Sequence, residues 1–224
     1  MTRHLPPRDD PSVTILIVDD HPVTREGLAA LLSRQPGFRV CGEAEGIPGA
    51  LRQVAAAVPD LVVVDVSLKD GNGLDLVKRL RDRFPRVKVL VWSMYPDAMY
   101  ARRAVQAGAA GYINKGSSPD AIMGAIRHVL AGEVFLSPEV TQSVLHAVAG
   151  NGYRDEDPIS SLSDRELEIF HLIGLGLDTH ETASRLHLSP KTVETYRTRI
   201  RAKLGAETGT AVLRSAIRWV LENG

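Results

Sequence analysis

The chain has 224 residues, 44% of them hydrophobic, which is enough for one large domain or two small ones with packed cores. Lys plus Arg and Asp plus Glu balance at 27 each, so net charge selects neither nucleic acid nor membrane, and any such preference must lie in how charge is distributed. The single cysteine, Cys41 in the apolar run FRVCGEA, excludes a disulfide framework and reads as core; with no secretory leader in MTRHLPPRDDPS and no apolar stretch of roughly 20 residues, a cytoplasmic chain without a membrane partner is expected.

Residues 1–12 are Pro-rich and charged, and are expected to be a disordered tail. From Val13 onward, apolar β-branched runs alternate with amphipathic ones. The runs near 13–19, 38–43, 61–65, 88–93 and 111–115 predict strands, and TILIVDD, DLVVVD, VKVLVWS and GYINK among them read as buried on both faces. Helices are predicted near 22–34, 48–57, 73–84, 98–107 and 119–131, the last opened by Ser118 as cap and Pro119 in its first turn. Five βα units of this length predict a doubly wound, flavodoxin-like α/β domain over residues 13–133. Residues 134–158 predict a linker with one short helix near 138–148, because GNGYRDEDPISS mixes glycine, proline, serine and acids without periodicity.

Charged residues close the predicted strands. Asp19 and Asp20 end the first, Asp65 the third and Lys115 the fifth, and a parallel sheet opens its ligand crevice at these carboxyl ends. Three carboxylates brought together repel, and a divalent cation relieves them, so the pattern predicts a magnesium-assisted phosphoryl site. Taken singly the residues say less. Asp19 and Asp20 could cap the helix from Pro22, Asp65 could be a turn residue, and Ser93 and Tyr112 are ordinary strand residues.

Beyond the linker, over 159–224, the strand signal disappears. Ser163 and Glu166 predict a capping box, a second helix follows near 179–186, and Ser189 with Pro190 opens a third that Gly205 closes. A fourth is predicted over 210–222. The tight HLSP turn gives the second and third the form of a helix-turn-helix. On the third helix Val193, Tyr196, Ile200 and Leu204 share an inward face, whereas Lys191, Thr195, Thr198 and Ala202 point away. Six basic residues against Glu194 alone lie between Arg185 and Lys203, an asymmetry that phosphate backbones reward.

Through ILIVDDHPVTREGLAALL, DLVVVDVSLKDGNGLDL, VLVWSMYPD and AGAAGYINK, residues 13–131 resemble a bacterial response-regulator receiver domain. Through LSDRELEIFHLIGLGLDTHETASRLHLSPKTVETYRTRIRAKLG, residues 159–222 resemble the LuxR-type helix-turn-helix of the NarL/FixJ family. The resemblance implies a two-component transcriptional regulator, not an enzyme. Asp65 would accept a phosphoryl group from a sensor histidine kinase. Asp19, Asp20, Asp65 and the Ser67 carbonyl would hold Mg2+, Lys115 would pair with the phosphoryl group, and Ser93 and Tyr112 would act as switch residues. It places Lys191, Thr192, Glu194, Thr195, Arg197, Thr198, Arg199, Arg201 and Lys203 at double-stranded DNA. The apolar surface of Val212, Leu213, Ala216, Ile217 and Val220 would divide between internal packing and a dimer contact, and RNA polymerase would be a further partner.

Other motifs fail. His180 and His187 are seven residues apart where a zinc-protease motif needs four, and neither GLGLDT nor DGNGLDL completes a dinucleotide fingerprint. A magnesium phosphohydrolase would carry its nucleophile after the first strand in an Asp-x-Asp pattern. A regulator whose receiver serves only for dimerisation, independent of phosphorylation, remains the alternative.

Overall fold

The computed structural model describes residues 12–138, 140–142 and 158–223. Five strands, β1 (Val13–Val18), β2 (Phe38–Ala44), β3 (Leu61–Val64), β4 (Lys88–Ser93) and β5 (Gly111–Asn114), form one sheet in the order β2-β1-β3-β4-β5. Every neighbouring pair is parallel. Helices α1 (Pro22–Ser33), α2 (Ile47–Ala57), α3 (Gly73–Arg83), α4 (Asp97–Ala107) and α5 (Pro119–Ala131) make the crossovers, each within a few residues of its predicted place.

Alternation along the strands divides the core in two. Ile15, Ile17, Leu61, Val63, Leu90 and Trp92 pack with Leu28 and Leu32 of α1 and Ile122, Ile126 and Val129 of α5. Leu16, Val18, Val62, Val64, Val89 and Val91 face α2, α3 and α4 through Val54, Val77, Leu80 and Ala104. This second cluster continues without a break into Leu167, Phe170 and Trp219 of the C-terminal half. Strands β1, β3, β4 and β5 are therefore apolar on both sides, whereas β2, at the edge of the sheet, carries Arg39 and Glu43 and is mostly half-buried.

The β3–α3 loop adds a ribbon that periodicity did not reveal, Ser67–Leu68 paired antiparallel with Gly71–Asn72. It turns tightly enough that a Cβ on Gly73 would stand 1.9 Å from the Asp65 carbonyl oxygen, so only glycine lets α3 start beneath the acid. Asn72 caps α3 by accepting from the Leu74 amide at 2.8 Å.

The C-terminal half holds α6 (Asp164–Gly174), α7 (Thr179–Arg185), α8 (Pro190–Lys203) and α9 (Gly209–Asn223). The capping box at Ser163 and Glu166 is formed, and Ser189 caps α8. A second capping box, Asp178 with Glu181, opens α7. A Cβ on Gly174 would lie 2.5 Å from the Ala216 carbonyl oxygen, which is how α6 and α9 cross closely. The tail expected at 1–12 lies outside the described residues except for Ser12, as does most of the linker helix expected at 138–148, of which helical residues 138 and 140–142 are described.

Candidate functional site

The carboxyl ends of β1, β3 and β5 bring Asp19, Asp20, Asp65 and Lys115 into one cavity, as their strand positions require. Lys115 Nζ lies 2.6 Å from Asp19 Oδ2 and 2.8 Å from Asp65 Oδ2, and the side chains of Asp19, Asp20 and Asp65 are at most 5% exposed. Asp19 is aimed by its own turn: Oδ1 accepts from the His21 amide at 2.8 Å, and its carbonyl accepts from buried Arg25 at 2.6 Å. The capping alternative fails for α1, whose N-cap is His21 with no side-chain cap bond.

Burial raises the Asp65 carboxyl to about 6, with Lys115 pulling it down and Asp19 pushing it up. For Lys115, burial works against the ammonium, but Asp65 and Asp19 together hold its proton above the usual lysine range. Asp20 Oδ1 is buried, with His21 Nδ1 2.7 Å away but no hydrogen bond of normal geometry. One ligand atom from each of Asp19, Asp20, His21 and Asp65 lies within 4.8 Å of the others, so the donors suit a divalent ion. His21 joins this group although only adjacency to the acids could have signalled it.

Ser93 Oγ is fully buried beside Asp65, near enough to favour its ionised form but without a hydrogen bond of normal geometry. Tyr112 points inward, 1% exposed, and donates to the Tyr95 carbonyl at 2.7 Å. Tyr95 carries the connection onward, since its hydroxyl lies 3.3 Å from Glu168 Oε1 of α6 and its ring stacks on Tyr100.

The C-terminal half is docked over this end of the sheet. Arg103 of α4 donates to the Leu162 carbonyl at 2.8 Å, to Asp164 at 2.9 Å and to the Ser160 carbonyl at 3.3 Å, and Lys78 of α3 reaches Asp164 at 2.8 Å. His187, in the turn between α7 and α8, places Nε2 3.3 Å from Asp20 Oδ2. None of these cross-domain partners is visible in sequence, because each pair is set by docking and not by spacing along one element.

Glu168 is wholly buried in this junction and paired with Arg165 at 2.9 Å; burial outweighs that partner and pushes its carboxyl up to about 7. A carboxyl raised from its ordinary 4.5 stabilises the fold fully below that value and loses the contribution as pH climbs through 7. His171, pushed down to about 4 by burial and then by Arg185, acts oppositely, losing its contribution as pH falls below its ordinary 6.5. Glu168→Gln should therefore gain stability relative to wild type as pH rises from 4.5 to 7, by on the order of 3 kcal/mol, read from paired thermal melts.

On α8 the inward face is as expected: Val193 and Ile200 are fully buried, and Tyr196 and Leu204 pack against the core. Lys191, Glu194, Thr195, Thr198, Arg199, Arg201 and Lys203 are exposed, with Arg197 and Thr192 half-buried. Docking therefore leaves this helix open to solvent. Some of its groups are engaged within the chain. Thr192 Oγ1 lies 2.7 Å from Ser189 Oγ, Glu194 accepts from Thr179, and Lys203 Nζ is held by Glu166 at 2.6 Å and the Ser161 carbonyl at 3.0 Å. On α9, Val212 and Ala216 are buried within their own half and cannot meet a partner, which corrects their place in the expected dimer surface. Leu213 and Ile217 are 37% and 39% exposed, and Leu221, one helical turn further and missed because it falls at the end of the pattern, is 81% exposed.

Comparison with known proteins agrees with this two-part layout. The model described as "Response regulator receiver domain" matches residues 15–127, and "Bacterial regulatory proteins, luxR family" matches residues 160–216. The chain is 36% identical over 198 residues to the DNA-binding transcriptional activator DevR/DosR of Mycobacterium tuberculosis, covering 88% of this chain and 91% of that one. It is 32% identical to the response regulator UvrY of Escherichia coli (strain K12), covering 94% and 96%. Among solved structures, RcsB from Salmonella enterica serovar Typhimurium, bound to promoter P1flhDC with the phosphomimetic BeF3-, is similar with a TM-score of 0.61 and 25% identity over 92% of this chain and 98% of that one.

Proposed function

Because this chain belongs to the LuxR-family response regulators of two-component systems, DNA-binding transcriptional regulators built on a phosphorylated receiver, we propose that Asp65 is its phosphoacceptor and that the aspartyl phosphate controls how the α7–α8 unit engages DNA. The observation that carries this reading is the convergence of Asp19, Asp20, Asp65 and Lys115 in one buried cavity beneath a docked helix-turn-helix.

An Asp65 carboxylate oxygen attacks the phosphorus of a kinase phosphohistidine, the P–N bond breaks, and the imidazole leaves with the electron pair and takes up a proton. With its carboxyl at about 6, Asp65 is mostly ionised at neutral pH and so is a competent nucleophile. Asp19, Asp20, Asp65 and the Ser67 carbonyl would hold Mg2+, which when bound supplies positive charge against the phosphoryl oxygens. Lys115 pairs with the phosphoryl group in exchange for Asp65, and the unpartnered Ser93 hydroxyl turns toward it. Tyr112, already inward, donates to the Tyr95 carbonyl two residues beyond Ser93, and Tyr95 meets Glu168, so the loop after β4 links the acid site to the junction.

At DNA, Lys191, Glu194, Thr195 and Thr198 approach base edges, while Arg197, Arg199 and Arg201 neutralise phosphates. Lys203, tied to Glu166, serves packing more than phosphate. Two copies meet through Leu213, Ile217 and Leu221 and so present paired half-sites, while Val220 packs against its own core. Arg201→Ala should weaken all sequences alike and lower the salt slope of binding by about one unit, measured by fluorescence anisotropy across a salt series.

The test of the whole reading is selection from a random-sequence duplex library by the full chain, with and without acetyl phosphate in MgCl2. Enrichment of a two-half-site sequence that strengthens with phosphorylation is expected. Equal enrichment in both states would favour a receiver that only dimerises, and no enrichment in either would refute the DNA-binding assignment.

A further inference from the structure

The two oxygens of Asp20 are each flanked by an imidazole, but the two imidazoles arrive from different domains. His21 Nδ1 lies 2.7 Å from Oδ1, and His187 Nε2 lies 3.3 Å from Oδ2. His21 is the next residue in the chain and belongs to the ligand cluster, so it stays beside an ion that enters. His187 belongs to the helix-turn-helix, so its half-exposed side chain ties that domain to the acid site at the solvent edge. Its backbone sits at a φ of +52°, in the left-handed region, so the turn that aims the ring is strained for a non-glycine residue.

We infer that a divalent cation in the acid cavity and the His187 contact compete for Asp20, so that Mg2+ alone, before any phosphoryl transfer, loosens the docked helix-turn-helix. A cation held by Asp20 would draw on the same carboxylate charge that faces His187 Nε2 at 3.3 Å. Asp20 is 5% exposed and His187 54%, so the carboxylate end of the contact is shielded while water screens the imidazole end. Linkage makes the effect mutual: if docking weakens ion binding, the ion weakens docking by the same factor. Arg103 and Lys78 on Asp164 lie away from the cavity's ligands and supply docking strength against which the ion works, whereas Tyr95, which meets Glu168, also interacts with Ser67 and Asp65. The regulator would then be primed by its metal and committed by its phosphate. This inference rests on the ion-binding reading of Asp20.

The experiment uses the full chain, MgCl2 and no phosphoryl donor. Magnesium affinity is measured by isothermal titration calorimetry for wild type, His187→Gly and Asp20→Ala, and small-angle scattering compares wild type in chelator with wild type in saturating MgCl2. Glycine accepts the left-handed turn, and His187→Asn, which tolerates it too, serves if the glycine variant does not fold. The expected result is about fivefold or greater tightening in His187→Gly, together with a more extended wild-type particle in MgCl2. Equal affinity in wild type and His187→Gly, or an unchanged scattering profile, overturns the competition. Undiminished affinity in Asp20→Ala overturns instead the assignment of the ion site.

Discussion

An Asp65→Asn chain incubated with labelled acetyl phosphate and MgCl2 should carry no hydroxylamine-labile phosphate, a fall of about three orders of magnitude or more, the scale expected when a nucleophile is removed. The amide is nearly isosteric and cannot form an acyl phosphate. Loss of labelling through unfolding is unlike this substitution, because the wild-type carboxylate is buried, raised to about 6, and costly to ionise there. An amide removes that cost, and Lys115 retains Asp19 at 2.6 Å as its partner. The variant should melt no lower than wild type in metal-free buffer. Labelling that persists in a folded variant would move the acceptor elsewhere and leave Asp65 a structural acid.

The parts of this site legible in sequence are those fixed by one element each. Asp19, Asp20, Asp65, Ser93 and Lys115 sit at strand ends or just beyond them, and an all-parallel sheet must bring its carboxyl ends together, so naming the strands names the cavity. Val193 and Ile200 on α8 follow helical spacing in the same way, and both are buried. Val212 and Ala216 could not be told from Leu213 and Ile217, because α9 is apolar over more than one stripe and only the crossing at Gly174 decides which side faces α6. His187, Glu168 and Arg103 were illegible for a further reason: their partners lie 167, 73 and 61 residues away in the other half, on surfaces whose register no local pattern encodes.

That junction yields the second large effect. Arg103→Ala deletes the donor to three acceptors, the Leu162 and Ser160 carbonyls and the Asp164 carboxylate, from a side chain only 15% exposed. Lys78 alone then holds Asp164, and it is the more exposed of the two cations. Charge-assisted hydrogen bonds of this kind contribute about 2–4 kcal/mol together, so the docked form should lose on the order of a hundredfold against the separated form. The substitution lies on α4 and takes nothing from the helix-turn-helix itself, so an effect on DNA reports docking and not misfolding. Because α8 is exposed even when docked, the receiver restrains the helix-turn-helix by holding its orientation, and two held copies cannot align on paired half-sites. Unphosphorylated Arg103→Ala should therefore bind a two-half-site duplex nearly as tightly as phosphorylated wild type, while single half-site affinity stays within about twofold. A variant whose scattering shows separated domains but whose paired-site affinity does not rise would place control in the dimer contact of Leu213, Ile217 and Leu221 instead of in docking.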